Sequence, residues 1–232
     1  SGKDMTLTAA GKDTKIETAY EASATEHAYV LAAIDGDQVT TQVYHSVATD
    51  NSNTLNTIDE MAYHTRCVRR GTQNALVVAD MSFMSYSDPA TACRNAATLM
   101  AAGASMVKIE GGEWLCDTVK QLNRNGIPVC VHLGLTPQSV HVFGGYKVQA
   151  RTREAADQLI ADCKAVVDAG AAALLLECVP AQVGREISEL FPDTPVIGIG
   201  AGAETDGQVL VVQDMLGLNF GHVAKFVRNF MQ

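Results

Sequence analysis

From residue 58 onward, short apolar or β-branched runs alternate with longer stretches in which apolar residues recur at helical spacing. The short runs are NALVVAD (74–80), SMVKIE (105–110), IPVCVH (127–132), AALLLE (172–177), TPVIGIG (194–200) and QVLVVQD (208–214), and each is predicted to be a strand. Between them, Asp88-Pro89 joins a capping side chain to a proline at the first helical position, and Gly103 closes that helix. Leu159, Ile160, Cys163, Val166 and Val167 share one helical face that stops at Gly170. Such alternation is the pattern of repeated βα units around a parallel sheet. The pattern also repeats in detail, because AAGASMVKIEGG (101–112) and DAGAAALLLECV (168–179) each set a helix-ending Gly seven residues before a Glu that ends the next strand. Two upstream runs, KIETAY (15–20) and YVLAAI (29–34), bring the predicted strands to eight. The expected architecture is therefore a single-domain α/β (βα)8 TIM barrel over residues 1–232. An open doubly wound sheet is the alternative, but no G-x-G-x-x-G follows the first strand. Residues 35–57 break the pattern, being dense in Thr, Ser, Asn and Asp with little periodicity, and are predicted to form an irregular polar loop or insertion.

Composition narrows the possible roles. With 232 residues, 47% hydrophobic and 19% charged, the chain can bury a full core. Seventeen basic against 26 acidic residues give a formal charge of −9, which argues against a surface built for nucleic-acid phosphates or anionic lipid. No apolar run approaches the roughly 20 residues of a membrane span, and the opening SGKDMTLTAAGKD lacks the basic-then-apolar layout of a secretory signal, so a cytoplasmic protein is expected. The six cysteines form no C-x-x-C pair and read as reduced, mostly buried thiols. Cys178 follows an acidic residue and is a conceivable nucleophile, but its apolar flanks favour a structural thiol.

In a barrel of this type the chemistry collects where strands end. The ionisable residues there are Asp80, Lys108, Glu110, His132 and Glu177. Each alone reads as an ordinary polar strand end. Together they would point into one mouth, where unpaired charge is costly unless a cation or an anionic substrate balances it. A hard divalent cation such as Mg²⁺ would take oxygen ligands from Asp80 and Glu110. Lys108, two residues before Glu110 and on the same strand face, would reach the same anionic ligand, with Glu177 left as proton acceptor and His132 as donor or orienting group. No H-E-x-x-H or Cys/His set suggests zinc. The glycine-rich VIGIGAG (196–202) admits two readings: a phosphate cradle, or close passage of backbone past its neighbours, and the second is favoured. FGGYK (143–147) would form a loop able to cover the mouth.

The segments AYHTRCVRRG, ADMSFMSY, NAATLMAAGASMVKIEGGEW, PVCVHLGLTPQSVHVFGGYKVQAR, LLLECVP, PVIGIGAG and GHVAKF, in that order over about residues 61 to 230, closely resemble the ketopantoate hydroxymethyltransferase family. That resemblance implies a (βα)8 barrel assembled as a homo-oligomer, commonly a decamer. It also implies Mg²⁺ and, as co-substrate, 5,10-methylenetetrahydrofolate. The small-molecule substrate would be the keto acid 3-methyl-2-oxobutanoate, converted to ketopantoate (2-dehydropantoate) through an enolate. Carried onto matching positions, it makes Asp80 in ADMSFM and Glu110 in KIEGGE metal-site residues. Lys108 and His132 become substrate-binding residues, Asp80 a substrate contact as well, and Glu177 in LLLECVP the catalytic proton acceptor. The family's G-D-S-L-G loop after the second strand is missing, and Gly36-Asp37-Gln38 is its nearest counterpart, with Asp37 as the further metal ligand. The resemblance further implies a C-terminal tail beyond Gln232. Two alternatives share much of this logic: a related enolate-forming, Mg²⁺-dependent lyase, and a catalytically silent barrel kept for assembly.

Overall fold

The computed structural model describes residues 5–9, 12–16, 27–35, 38–46, 56–218 and 223–231, with side chains described from residue 56. Its main sheet has six parallel strands in unbroken sequence order: β5 (Val78–Asp80), β6 (Met106–Glu110), β7 (Val129–Gly134), β8 (Ala173–Glu177), β9 (Val196–Ile199) and β10 (Gly207–Gln208). Helices fill the crossovers. The longer ones are α1 (Ile58–Gly71), α2 (Pro89–Ala101), α3 (Cys116–Arg124), α5 (Arg153–Asp168) and α6 (Ala181–Leu190). The short α4 (Val140–Phe143) and α7 (Val212–Met215) follow β7 and β10. Sequence order within a parallel sheet is the half-barrel arrangement, since each βα unit lays its strand beside the previous one.

The helix boundaries follow local chemistry. Asp88 accepts a hydrogen bond from the Thr91 backbone N–H at 2.9 Å and Pro89 opens α2. Thr57 and Glu60 form a reciprocal capping box at α1, and Thr152 caps α5 through the Ala155 N–H. The helix-ending Gly103 and Gly170 precede β6 and β8, as the repeated segments predict.

Three sequence expectations are corrected. The described part of the run 15–20 and the run 29–34 do not join the parallel sheet: Lys15 and Ile16 lie in β2 (Lys12–Ile16), which pairs antiparallel with β1 (Met5–Ala9), 17–20 lie outside the described residues, and 29–34 lie in β3 (His27–Asp35), which pairs antiparallel with β4 (Gln38–Ser46). Asp35 pairs with Gln38, and so short a connection permits only an antiparallel partner, because a parallel one needs a crossover of a dozen residues or more. Among the described residues the parallel sheet therefore has six strands, and the eight-stranded closure is not formed by these runs. Second, part of the polar stretch 35–57 is strand β4, consistent with the β-branched and aromatic Val39, Thr40, Thr41, Val43 and Tyr44. Third, 208–214 is strand only at Gln208 and turns helical at Val212. There Val212, Met215 and Leu216, at helical spacing, bury together with Leu210 packed on them.

Period-two alternation decides which side chains face which side of the sheet. Val107, Ile109, Val129, Val131, Leu133, Leu174, Leu176 and Val196 join the helices in the large core. The other face carries Val78, Met106, Cys130, Ala173, Leu175, Ile197 and Ile199, a second apolar cluster that also holds Val209. Asp80, Lys108, Glu110, His132 and Glu177 alternate with the helix-facing residues. They thus share the second face and stand above that apolar floor at the C-terminal ends of the strands.

Candidate active site

Strand register brings the five ionisable groups side by side. Asp80 is level with Lys108 and Glu110 with His132, while Glu177 lies level with Gly134, two positions beyond His132 on the neighbouring strand. The Lys108 Nζ lies 3.1 Å from Asp80 Oδ2 and 3.5 Å from Glu110 Oε1. His132 Nδ1 is 3.5 Å from the same Glu110 oxygen, and its Nε2 is 3.3 Å from Glu177 Oε2 without hydrogen-bond alignment. Ammonium, imidazole and three carboxylates thus form one continuous chain across four strands.

Burial sharpens these charges. Desolvation favours the neutral carboxyl of Asp80 and, despite the Lys108 ammonium beside it, holds its pKa above the ordinary aspartate range. Glu110 is as deeply buried, but Lys108, His132 and the Gln138 N–H together outweigh desolvation and hold it below the ordinary range. Burial pushes Lys108 down, and the carboxylates of Asp80 and Glu110 more than reverse this, keeping it an ammonium. His132 is pulled down by burial and Lys108, yet its contacts with Glu110 and Glu177 leave it raised on balance.

The ends of the strands are held by backbone contacts. The Glu177 carbonyl accepts from Leu135 N–H at 2.8 Å. Cys178 adopts a left-handed backbone (φ 49°), unusual for a non-glycine residue, with its N–H on the Ile199 carbonyl and its own carbonyl accepting from Gln149 N–H at 2.8 Å. This last bond brings the segment after FGGYK against the end of β8. The Cys178 thiol is pushed up to about 11 by burial and by Glu177, the opposite of what a nucleophile needs.

The glycine-rich segment meets the second of its two readings. A Cβ on Gly198 would lie 2.7 Å from Thr205 Oγ1, on Gly200 2.6 Å from the Phe226 ring and on Gly202 2.6 Å from Ala181 Cβ. Gly200 also has φ 64°, so both space and backbone require glycine there.

Asp80, Lys108, Glu110, His132 and Glu177 are brought together as the sequence suggests, and Asp37 lies outside the described residues. Among the described residues no three His, Cys, Asp or Glu side chains converge as a metal-binding set. The donor chemistry still suits a hard cation, because Mg²⁺ is commonly held by one or two carboxylates with water and substrate oxygens supplying the rest. Asp80 and Glu110 offer two such carboxylates on adjacent strands, both near one ammonium. Sequence reasoning gave no role to Tyr86 and Gln138, which are buried against Glu110, or to Ser82 and Ser85, whose buried hydroxyls have no hydrogen-bond partner among the described residues. Their positions, just after a strand end or after the Thr136-Pro137 turn, were the available signal.

The parallel half-barrel with ionisable groups at its C-terminal strand ends is an α/β fold of the TIM-barrel type, a class in which chemistry collects at that end. The sequence model of ketopantoate hydroxymethyltransferase matches residues 5–232, and the chain belongs to that family. The matched span includes the N-terminal stretch in which the motifs showed little correspondence. A 3-methyl-2-oxobutanoate hydroxymethyltransferase of Acinetobacter baumannii (strain SDF) is 64% identical over 224 residues, 97% of this chain and 83% of that protein. One of the same name from Acinetobacter baylyi (strain ATCC 33305 / BD413 / ADP1) is 63% identical over 215 residues, 93% of this chain and 80% of that one. Among solved structures, a protein of Burkholderia cenocepacia J2315 proposed to be a phosphonomutase superposes with a TM-score of 0.50 at 16% identity. It covers 63% of each chain and supports the fold alone.

Proposed function

We propose that this protein transfers a hydroxymethyl group from 5,10-methylenetetrahydrofolate to 3-methyl-2-oxobutanoate, giving ketopantoate for pantothenate and coenzyme A synthesis. Family membership supports the reaction, and the observation that carries the site is the ionisable chain from Asp80 to Glu177. The relatives' shared name supports a transferase over a lyase or a silent barrel.

Asp80 and Glu110 would hold Mg²⁺, which when bound supplies Lewis-acid polarisation of the keto-acid carbonyl. Lys108 offsets part of the pair's negative charge and presents its ammonium to the anionic end of the substrate. Glu177, at the end of its strand and more open to the mouth than Glu110, accepts the proton from C3 of the keto acid. His132, with one ring nitrogen towards Glu110 and the other towards Glu177, stands beside the base as a donor or orienting group. The apolar floor of Met106, Cys130, Leu175 and Ile199 keeps water from beneath these groups. Homo-oligomeric assembly, decameric as in the resembled family, and a cytoplasmic location belong to the same proposal. Among the described residues no helix is long and apolar enough to cross a membrane.

The test is turnover of 3-methyl-2-oxobutanoate with 5,10-methylenetetrahydrofolate and Mg²⁺, followed by mass spectrometric detection of ketopantoate. Product that needs both substrates and the metal is the expected result. Exchange of the C3 proton with solvent deuterium but no folate-dependent product would leave only the enolate half of the proposal standing.

A further inference from the structure

Gln138 ties three strand ends to a single carboxylate. It sits in the 3-10 turn Pro137–Ser139 that follows β7, and its backbone N–H donates to Glu110 Oε2, at the end of β6, at 2.9 Å. Its side-chain Nε2 donates to the Met81 carbonyl just beyond β5 at 2.9 Å, and its Oε1 accepts from the Tyr86 hydroxyl. The Tyr86 oxygen in turn accepts from the Glu110 backbone N–H at 3.3 Å, closing the ring of contacts. Gln138 and Tyr86 are 6% and 5% exposed, so water offers neither a substitute partner.

This brace treats the two Glu110 oxygens differently. Oε2 is held by Gln138, whereas Oε1 is the oxygen that faces Lys108 and His132. A carboxylate held at one oxygen cannot rotate without breaking a buried hydrogen bond, so the other keeps its direction. We propose that Gln138 and Tyr86 are positioning residues for the reaction, locking the Glu110 carboxylate with Oε1 turned to the substrate and metal side. The backbone donor at 138 survives any substitution except proline, and it is the side-chain amide, anchored at Met81 and Tyr86, that fixes where this donor stands.

The kinetic arm of the test rests on the proposed function, and the exchange arm does not. In the full chain without metal or substrate, hydrogen–deuterium exchange should show the residue 138 amide protected. Tyr86→Phe, which keeps the ring but removes the hydroxyl, should speed its exchange by about tenfold or more. Unchanged exchange overturns the brace whether or not the protein is active. In steady-state exchange of the keto-acid C3 proton, Tyr86→Phe and Gln138→Ala should each lower kcat by about 10- to 100-fold. The keto-acid KM should stay within about threefold, and the double variant should be no worse than the poorer single one. Full kcat in a folded variant, or a loss confined to KM, overturns the positioning role, as does a lowered thermal midpoint with kcat intact. Should Gln138→Ala fail to fold, Tyr86→Phe alone decides the matter, being the smaller change. Absence of C3 exchange in the unaltered protein would sink the proposed function and leave the exchange arm to judge the brace.

Discussion

Asp80 and Glu110 are carboxylates on neighbouring strands, both buried and both near the Lys108 ammonium, yet their surroundings drive them in opposite directions. Desolvation is the largest influence on both, but at Glu110 the lysine, His132 and a backbone donor together outweigh it, whereas at Asp80 it prevails over Lys108 and His132. Removing the shared cation should therefore be costly: Lys108→Met is expected to lose about 3–5 kcal/mol in denaturant unfolding, because buried carboxylates would be left without their partner. For Glu177→Gln, deuterium exchange at C3 of the keto acid should collapse while calorimetric binding of the keto acid survives. Retained exchange would assign the base elsewhere. The thiols provide a check on burial. Cys130 and Cys163 are pushed up to about 12 and Cys178 to about 11, all by burial first, while Cys67 is exposed. Iodoacetamide in the native state should label Cys67 first, with labelling of half-buried Cys178 rising as pH climbs towards 11, read by peptide mass spectrometry. The candidate residues could be read from the sequence because strand-ending Asp, Lys, Glu and His interrupt apolar runs. The hydrogen-bonding roles of Tyr86 and Gln138 could not, because they depend on partners 24 and 52 residues away.

At the level of elements, Asp88-Pro89 with Gly103 and the glycine stop at 170 mark α2 and α5 in the sequence, whereas the Thr57–Glu60 box that opens α1 falls at the edge of the stretch 35–57 read as an irregular loop. Thr57 and Glu60 illustrate the energetics: Thr57→Ala should cost about 1 kcal/mol of stability by chemical denaturation. The hydrogen bonds from the Thr57 backbone and side chain hold the Glu60 carboxyl below its ordinary value of 4.5. A depressed folded-state pKa contributes stability above the unfolded pKa that is lost as pH falls through the folded one, so the Thr57→Ala deficit should shrink in acid. Strands with a helix between them were recognisable as parallel, since βα alternation leaves little else for them to do. An apolar run of strand length does not reveal its partner, which is why the upstream runs read as members of the parallel sheet. The two-residue gap between Asp35 and Gln38 was the overlooked signal. In 208–214, a continuous apolar run concealed the helical spacing of Val212, Met215 and Leu216.

For the whole molecule, the sheet packs its larger apolar core against the helices on one face and carries the ionisable chain, above a smaller apolar cluster, on the other. Leu174 is fully buried against the helices and its strand ends at Glu177, so Leu174→Ala should lower unfolding free energy by about 2–5 kcal/mol while kcat under native conditions changes little. By itself the sequence determined the order of the strands β5 to β9, the two helices that end at Gly103 and Gly170, and the candidate ionisable residues, because hydrophobic period, caps and strand-end polarity are local properties. Only the tertiary structure decided that Lys15, Ile16 and the run 29–34 pair antiparallel, and that the glycines of 198–202 make room for Thr205, Phe226 and Ala181. It likewise decided which Glu110 oxygen meets Gln138 and which meets Lys108 and His132. Those outcomes depend on register and on contacts between distant segments, which fix distances and burial that residue type and spacing leave open.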